Sequence, residues 1–296
     1  MASDGSFGAI GPMVGAAVRQ ILRQEPVGLV QRSMRSSSPA RTFWTARCGD
    51  TEVFVKCAPA GKLAGTKLDA YLSERYAAAG LVPRFFGSHE TGPIEVGVWE
   101  HVEGGSPEFN DYSDAHLKAL VDTLAEISVN SPDAPVASKV RWAAPPLRRI
   151  RTVLVDKKPD DLRRLMVLSK SVSARLEPLV TLMNQGATAL VHNDLRGANV
   201  LQRPSGSLCL IDWESATRGP VGSNLRVFWN SPRRDEAVKL FAQALGRHGM
   251  VVSQETLSLT LAIQQGFWAL DTGIRQTDVD RLRRGLTTLA TLPFHE

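Results

Sequence analysis

Two aspartates and an asparagine in the second half of this 296-residue chain stand out by their order and spacing. Asp194 is followed by Asn199, and Asp212 comes at the end of the next apolar run, 208–211. A carboxylate can take the proton from an attacking hydroxyl group, and an amide with a second carboxylate can hold Mg²⁺ against nucleotide phosphates. The pattern therefore predicts phosphoryl transfer, with Asp194 acting on the acceptor and with Asn199 and Asp212 binding the metal.

Short predicted strands surround these three residues and would fix their positions. The mainly apolar segments 189–191 and 200–202 are typical of buried strands, and a turn at 204–207 leads into a third strand at 208–211. The alternative is an ordinary polar loop in which Asp and Asn serve as turn residues. The coincidence of strands, turn and spacing favours the chemical interpretation.

The order His-x-Asp-x-x-x-x-Asn followed by Asp-Trp, within residues 192–213, resembles the catalytic and metal loops of the aminoglycoside phosphotransferases. These belong with other antibiotic and small-molecule kinases to the protein-kinase-like superfamily. The resemblance implies an α+β, two-lobed protein-kinase-like fold. A small β-rich N-terminal nucleotide-binding lobe would comprise residues 1–102. A larger, mainly helical C-terminal lobe, catalytic and substrate-binding, would comprise residues 103–296. ATP and Mg²⁺ would be the cofactors.

A second motif lies upstream, on the alternating sequence 51–56, which predicts a strand. It carries Lys56, and the resemblance implies that this lysine holds the α- and β-phosphates. The turn before the strand resembles the family's nucleotide-positioning loop, so Ser38 and Ala40 would cover the phosphates. An acid on the next helix would pair with Lys56. We favour Asp69, and Glu74, about 140° away around the helix, is the alternative.

The segment 96–105 resembles the strand and hinge that join the two lobes in this family. By that resemblance, the Glu100 carbonyl and the Val102 N–H would bind the adenine edge of the nucleotide. Trp99 would lie at the back of the adenine pocket or would be an ordinary core aromatic.

Helical periodicity predicts further elements on both sides of the catalytic segment. The first lobe is expected to hold one helix, ending at Gly80. In the second lobe we expect helices over 112–130, 234–246, 254–275 and 278–291. Phe267 and Trp268 are expected in its core. The basic stretch 148–164 predicts a solvated helix face rather than a nucleic-acid interface.

Composition excludes several other classes of protein. The sequence contains no apolar run long enough to span a membrane, no secretory leader pattern, and three widely spaced cysteines that suggest neither disulfides nor zinc. We therefore expect a cytoplasmic protein with no nucleic-acid or membrane partner. The sequence leaves the oligomeric state open.

These features predict an enzyme that phosphorylates a hydroxyl group of a small molecule, most readily an antibiotic or related secondary metabolite. A metabolite kinase acting on a sugar or amino alcohol is the alternative within enzymes. A nucleotide-binding pseudokinase or regulatory protein is the alternative outside them. Because Lys and Arg (35) outnumber Asp and Glu (30), we expect a neutral or weakly cationic acceptor. An acidic cleft for a polycation would have to be built from acids such as Glu214, Asp271, Asp278 and Asp280.

Overall fold

The structure is a computed structural model and describes residues 10–33, 40–136, 147–150 and 159–293. The chain divides into two units. The first comprises Met1–Pro107 and Gly197–Ser215, and the second comprises Glu108–Arg196 and Ala216–Glu296. The predicted division at residue 102 placed 197–215 in the C-terminal lobe, whereas this segment packs within the first unit.

An antiparallel sheet forms the first unit's framework, in the strand order β1-β2-β3-β5-β4. Its strands are β1 (Val27–Arg32), β2 (Thr42–Cys48), β3 (Thr51–Pro59), β4 (Phe85–Thr91) and β5 (Ile94–Glu100). The predicted strand that carries Lys56 is present as β3. It lies between β2 and β5, with Lys56 directly opposite Gly97.

Alternation along β3 and β5 gives the sheet two different faces. One face packs on helix α1 (Ile10–Leu22), where the apolar core includes Val14, Ala17, Val18, Val53, Val55, Val96 and Val98. The other face carries Lys56 and Trp99. The expectation of a single helix in this lobe was wrong, because α1 precedes the sheet. Its buried stripe of small and branched residues is short, which made the helix hard to recognise from the sequence.

The remaining elements of the first unit position the predicted site. Helix α2 (Thr66–Tyr76) follows β3 and buries Leu68, Leu72 and Tyr76. A hairpin of β7 (Val200–Gln202) and β8 (Leu208–Leu210) follows the 3₁₀ turn Gly197–Asn199. A second 3₁₀ turn, Trp213–Ser215, begins directly after Asp212. The strands predicted at 200–202 and 208–211 are therefore present.

The second unit is mainly helical. Its helices are α3 (Asp114–Val129), α4 (Pro159–Gln185), α5 (Arg234–Arg247), α6 (Gln254–Gln276) and α7 (Val279–Ala290). The strands β6 (Thr188–Val191) and β9 (Thr217–Pro220) pair in an antiparallel ladder, and the 3₁₀ helices Phe109–Asp111, Leu147–Arg149 and Val221–Phe228 complete the unit. Much of the basic stretch 148–164 lies outside the described residues.

Helices α4, α6 and α7 share one apolar core, which includes Leu165, Val172, Leu179, Ile263, Phe267, Leu270, Leu282 and Leu286. Helices α6 and α7 pack closely because both have a glycine at the contact. A Cβ at Gly285 would lie 2.9 Å from the carbonyl oxygen of Gly266. None of the described helices combines enough length and apolarity to cross a lipid bilayer.

Candidate active site

Lys56 and Asp212 form an ion pair in the first unit, although they are far apart in the sequence. The distance from Lys56 Nζ to Asp212 Oδ1 is 2.5 Å, and the two side chains are only 15% and 25% exposed. Lys56 reaches Asp212 from β3, while Asp212 follows the hairpin of β7 and β8. Two residues that the sequence assigned to phosphates and to metal are thus direct neighbours.

Asn199 and Asp212 meet the chemical requirements of a magnesium site. Asn199 is 4% exposed, and its backbone carbonyl oxygen accepts a 3.0 Å hydrogen bond from the Ile211 N–H. This bond fixes the Asn199 backbone beside the residue that precedes Asp212. Asp212, two residues after the end of β8, has a left-handed backbone conformation with φ of 65°. Amide and carboxylate oxygens suit Mg²⁺, which takes its other ligands from water and phosphate. The donor set therefore fits the metal.

Asp69 lies on α2 close enough to Lys56 and Asp212 to interact with both charges. Its carboxylate accepts a hydrogen bond from the Trp99 side chain. Burial, reinforced by the charges of Asp212 and Glu214, raises the pKa of Asp69 to about 7, although Lys56 opposes the shift. Glu74, the alternative partner, has a side chain that is 82% exposed and lies 4.0 Å from Arg75.

Trp99 contacts the candidate site on the Lys56 face of the sheet. The Nζ of Lys56 lies 5.3 Å from the centroid of the Trp99 ring. Phe85 packs against the same ring at 5.0 Å, and a Cβ at Gly97 would overlap with it. The absence of a side chain at Gly97 therefore makes room for Trp99. A glycine two positions before the tryptophan on the same strand face was the sequence signal for this arrangement.

The predicted nucleotide loop lies partly outside the described residues, and Ser38 is one of the residues that the structure does not describe. Ala40, which is described, is exposed and lies two residues before β2. The next residue, Arg41, pairs with Glu214, with its Nη1 at 2.6 Å from Oε1 and 2.8 Å from Oε2. Sequence reasoning missed Arg41 because its partner is 173 positions away.

The predicted hinge residues lie at and beyond the end of β5. The Glu100 carboxylate accepts a hydrogen bond from Arg203 at 2.6 Å, and the Arg84 N–H donates to it at 3.0 Å. Val102 is buried. These contacts hold the end of β5 against the hairpin of β7 and β8. The assignment of the Glu100 carbonyl and the Val102 N–H to adenine binding remains a prediction.

Asp194 lies in the second unit, on the wall of a cavity of about 210 Å³. The cavity is lined by Asn193, Asp194, Leu195, Arg196, Ser223, Asn224, Arg226 and Val227. The Asp194 side chain is 44% exposed, with Oδ2 at 3.5 Å from Arg196 Nε. An acceptor entering this cavity has access to the predicted proton acceptor.

The loop that carries Asp194 is fixed by its neighbours. His192 is fully buried, and its backbone N–H donates to Asn224 Oδ1 at 3.0 Å. The Asn224 amide in turn donates to Ser128 and to the Leu190 carbonyl. The Asn224 side chain therefore holds the loop that carries Asp194. Asn193 has φ of 61°, a conformation that Asn tolerates better than most residues.

The acids that would have to build an acidic cleft are each paired with an arginine. Glu214 pairs with Arg41, Asp271 with Arg275, Asp278 with Arg281, and Asp280 with Arg283. The expectation for Trp268 was wrong: it is 36% exposed and has the guanidinium groups of Arg226 and Arg281 within 5.1 and 5.4 Å of its ring centroid. Phe267 is buried in the core, as expected.

The fold is similar to those of several solved phosphotransferases. Choline kinase LicA from Streptococcus pneumoniae is 17% identical, with a TM-score of 0.58 over 96% of this chain and 100% of that chain. A thermostable mutant of aminoglycoside phosphotransferase APH(4)-Ia, in a ternary complex with ADP and hygromycin B, is 15% identical, with a TM-score of 0.55 over 95% and 100%.

Spectinomycin phosphotransferase APH(9)-Ia, in complex with ADP and spectinomycin, is 12% identical, with a TM-score of 0.56 over 96% of this chain and 97% of that chain. A comparison with curated proteins found no match. The similarity to solved structures confirms the predicted α+β kinase-like fold, with its β-rich N-terminal and mainly helical C-terminal regions.

The sequence profile of the phosphotransferase enzyme family, APH, matches residues 34–254. This match covers most of the chain and includes all the residues predicted to bind nucleotide, metal and acceptor. It confirms the predicted resemblance, and with it the prediction of an ATP-dependent phosphotransferase that acts on an alcohol group. The chain belongs to the phosphotransferase enzyme family.

Proposed function

We propose that this chain transfers the γ-phosphoryl group of ATP to a hydroxyl group of a small molecule, most readily an antibiotic or related secondary metabolite, which the transfer would inactivate. The observation that carries the proposal is the ion pair between Lys56 and Asp212, with Asn199 fixed beside the same strand end. Solved proteins of similar fold include phosphotransferases complexed with spectinomycin or hygromycin B, and these complexes also contain ADP.

In this proposal the first unit holds the nucleotide. Lys56 binds the α- and β-phosphates, Ser38 and Ala40 cover them, and Asn199 and Asp212 hold Mg²⁺. When bound, the metal neutralises phosphate charge and orients the transferred group. Asp69 and Trp99 position Lys56 from α2 and β5. The Glu100 carbonyl and the Val102 N–H would bind the adenine edge. The proposal takes residues 1–102, together with 197–215 of the same unit, as the nucleotide lobe and the rest of 103–296 as the acceptor lobe.

The chemistry at the acceptor is assigned to Asp194. Its exposed carboxylate would accept the proton from the substrate hydroxyl and orient the oxygen for attack on the γ-phosphorus. His192 serves a structural role, because its side chain is fully buried and its backbone is held by Asn224.

The charges of the second unit support an acceptor that is not a polycation. Three acids of this unit that were considered for an acidic cleft, Asp271, Asp278 and Asp280, each lie within 3.4 Å of an arginine nitrogen. The positive charge of each neighbouring arginine offsets that of the carboxylate, so these three acids do not form a cluster of uncompensated negative charge. Glu214, the fourth acid considered, pairs with Arg41 in the first unit.

A metabolite kinase acting on a sugar or amino alcohol is the second candidate. The similarity in fold to choline kinase LicA from Streptococcus pneumoniae, whose chain is covered completely, supports this alternative. A pseudokinase is less consistent with the chain, because Lys56, Asp194, Asn199 and Asp212 are all present. The proposal also includes action in the cytoplasm, which the three buried, free thiols Cys48, Cys57 and Cys209 support.

An ATP-consumption screen of the purified chain tests this function. Antibiotics of several classes and primary alcohol metabolites would be compared in the presence of Mg²⁺. We expect ADP release that depends on one acceptor class and a product that is heavier by one phosphoryl group in mass spectrometry. If titration calorimetry showed no binding of Mg·AMP-PNP, the proposed function would be wrong.

A further inference from the structure

We propose that the acceptor carries an oxyanion, a carboxylate or a phosphate group, near its reactive hydroxyl, and that Arg226 and Ser223 bind this oxyanion. The inference rests on the proposed function, because it takes Asp194 as the group that meets the acceptor. It names the substrate class of that site as anionic, in place of the neutral or weakly cationic acceptor that the overall charge of the chain predicted.

The proposed oxyanion site and the proposed proton acceptor line the same cavity. Asp194, Ser223 and Arg226 line the same cavity of about 210 Å³. This volume lies below the roughly 300–1,000 Å³ of pockets that enclose drug-sized ligands. The cavity therefore suits a small acceptor or one end of a larger one, and a group bound by Arg226 would lie close to Asp194.

The charged side chains that line the cavity favour an anionic ligand. Its lining contains one carboxylate, Asp194, and two guanidinium groups, those of Arg196 and Arg226. Arg196 lies 3.5 Å from Asp194, and the charge of Asp194 also acts on Arg226. One carboxylate cannot neutralise two guanidinium groups, so the cavity has excess positive charge. It attracts an anion and repels an ammonium group.

An unpaired hydroxyl group provides an independent observation. Ser223 is 5% exposed, and among the described residues its buried Oγ has no hydrogen-bond partner. Ser223 and Arg226 lie three positions apart on the 3₁₀ helix Val221–Phe228. Side chains with this separation eclipse one another on a 3₁₀ helix, so both lie on the same side. A hydroxyl donor next to a guanidinium fork is a suitable site for the oxygens of a carboxylate or phosphate.

Trp268 holds Arg226 in place for this role. The Arg226 guanidinium carbon lies 5.1 Å from the centroid of the Trp268 ring, and Arg281 lies 5.4 Å from the same ring. A cation–π contact restrains a guanidinium group without using its N–H donors. The N–H groups of Arg226 can then bind a substrate, whereas the charge of Arg281 is partly offset by Asp278 at 3.3 Å.

Binding of matched small alcohols tests the inference directly. Each alcohol of a panel would be used in three forms, which carry a carboxylate, a carboxamide or an aminomethyl group at the same position and are otherwise identical. A phosphate would be tested in the same way by comparing sn-glycerol 3-phosphate with glycerol. These probes would be titrated into the wild-type chain saturated with Mg·AMP-PNP. We expect at least one acid or phosphate to bind about tenfold more tightly than its neutral and cationic counterparts, the scale of one charge-assisted hydrogen bond.

Substitutions at Arg226 and Ser223 test whether these residues cause the preference for the anionic probes. Arg226→Gln should abolish it, and Ser223→Ala should weaken it. For an acid that is turned over, Arg226→Gln should raise KM more than it lowers kcat. Arg226→Lys should restore part of the preference. Arg234→Gln is the matched control, because Arg234 lies 5.4 Å from the Trp229 ring and does not line this cavity. Thermal unfolding would confirm that each variant is folded.

The outcomes separate the two proposals. If Mg·AMP-PNP binds but no acid or phosphate binds better than its counterparts, the inference is overturned and the proposed function stands. A preference that survives in folded Arg226→Gln would also overturn it. Preference for the carboxylates or for the phosphate would identify the oxyanion. If Mg·AMP-PNP does not bind, the proposed function fails and the inference fails with it.

Discussion

The Nζ atom of Lys56 lies 2.5 Å from Oδ1 of Asp212, which joins the central strand β3 to the segment that follows the hairpin of β7 and β8. Both side chains are largely buried, so each charge depends on the other. The same neighbourhood contains Asp69, whose pKa is raised chiefly by burial and further by the charges of Asp212 and Glu214, while Lys56 opposes the shift. The residues predicted to bind phosphates and metal therefore form one coupled group.

Replacing Asp212 by Asn should weaken the binding of Mg·AMP-PNP. The substitution removes a charged ligand from a hard cation and also leaves Lys56 without its close partner. We expect a loss in affinity of at least about 10-fold, because even a residue that only supports a metal ligand contributes about that much and Asp212 is proposed as a ligand itself. Titration calorimetry measures this loss. Glu74→Gln, at a side chain that is 82% exposed, should bind like the wild type.

Replacing Asp194 by Ala should abolish transfer and leave nucleotide binding intact. A positioned proton acceptor contributes at least ~10²-fold to the rate, and Asp194 lines a cavity of the second unit rather than the Lys56 site. The rate of ADP release with the best acceptor and the affinity for Mg·AMP-PNP would be measured together. Full turnover by the variant would contradict the assignment, and Asp235→Ala, at a side chain that is 86% exposed, is the control.

Breaking the pair between Arg41 and Glu214 should destabilise the protein. The side chains are 15% and 20% exposed, so either single substitution leaves a partly buried charge without its partner. We expect Glu214→Gln to lower the free energy of unfolding by roughly 1–3 kcal/mol. Arg41→Gln with Glu214→Gln should cost less than the sum of the two single changes. Denaturant unfolding of all four proteins measures the coupling, and simple additivity would show that the pair contributes nothing.

Asp69 should make stability depend on pH. Its pKa is raised to about 7 in the folded protein, so the folded state holds a proton that the unfolded state releases at lower pH. The contribution of this group is present in full below about pH 4 and is lost as the pH rises through about 7. Asp69→Asn should therefore gain stability relative to the wild type as the pH rises over this range.

Urea unfolding of the wild type and of Asp69→Asn at pH 5, 6, 7 and 8 would measure this dependence. Glu74→Gln, on the exposed side of the same helix, controls for the loss of a carboxylate. A constant difference in the free energy of unfolding between wild type and Asp69→Asn at all four pH values would contradict the prediction. It would show that Asp69 has the same pKa in the folded and the unfolded protein.

Local patterns in the sequence determined the elements and the candidate residues. The helices predicted over 234–246 and 254–275 are present as Arg234–Arg247 and Gln254–Gln276, because helical spacing of apolar residues is set within a few positions of the chain. Alternation predicted the strand that carries Lys56, and the spacing of Asp194, Asn199 and Asp212 predicted phosphoryl transfer. Helix α1 was missed because its buried stripe is short.

The tertiary structure alone decided which charges meet. Lys56 lies 2.5 Å from Asp212, a contact that the sequence did not predict, and Asp69, the partner that the sequence favoured, interacts electrostatically with both. Arg41 finds Glu214 across 173 positions, and Arg226 packs on Trp268 of another helix. Such pairs depend on how whole strands and helices pack and on which oppositely charged side chains are buried next to each other. A local sequence pattern contains no information about distances between residues so far apart in the chain.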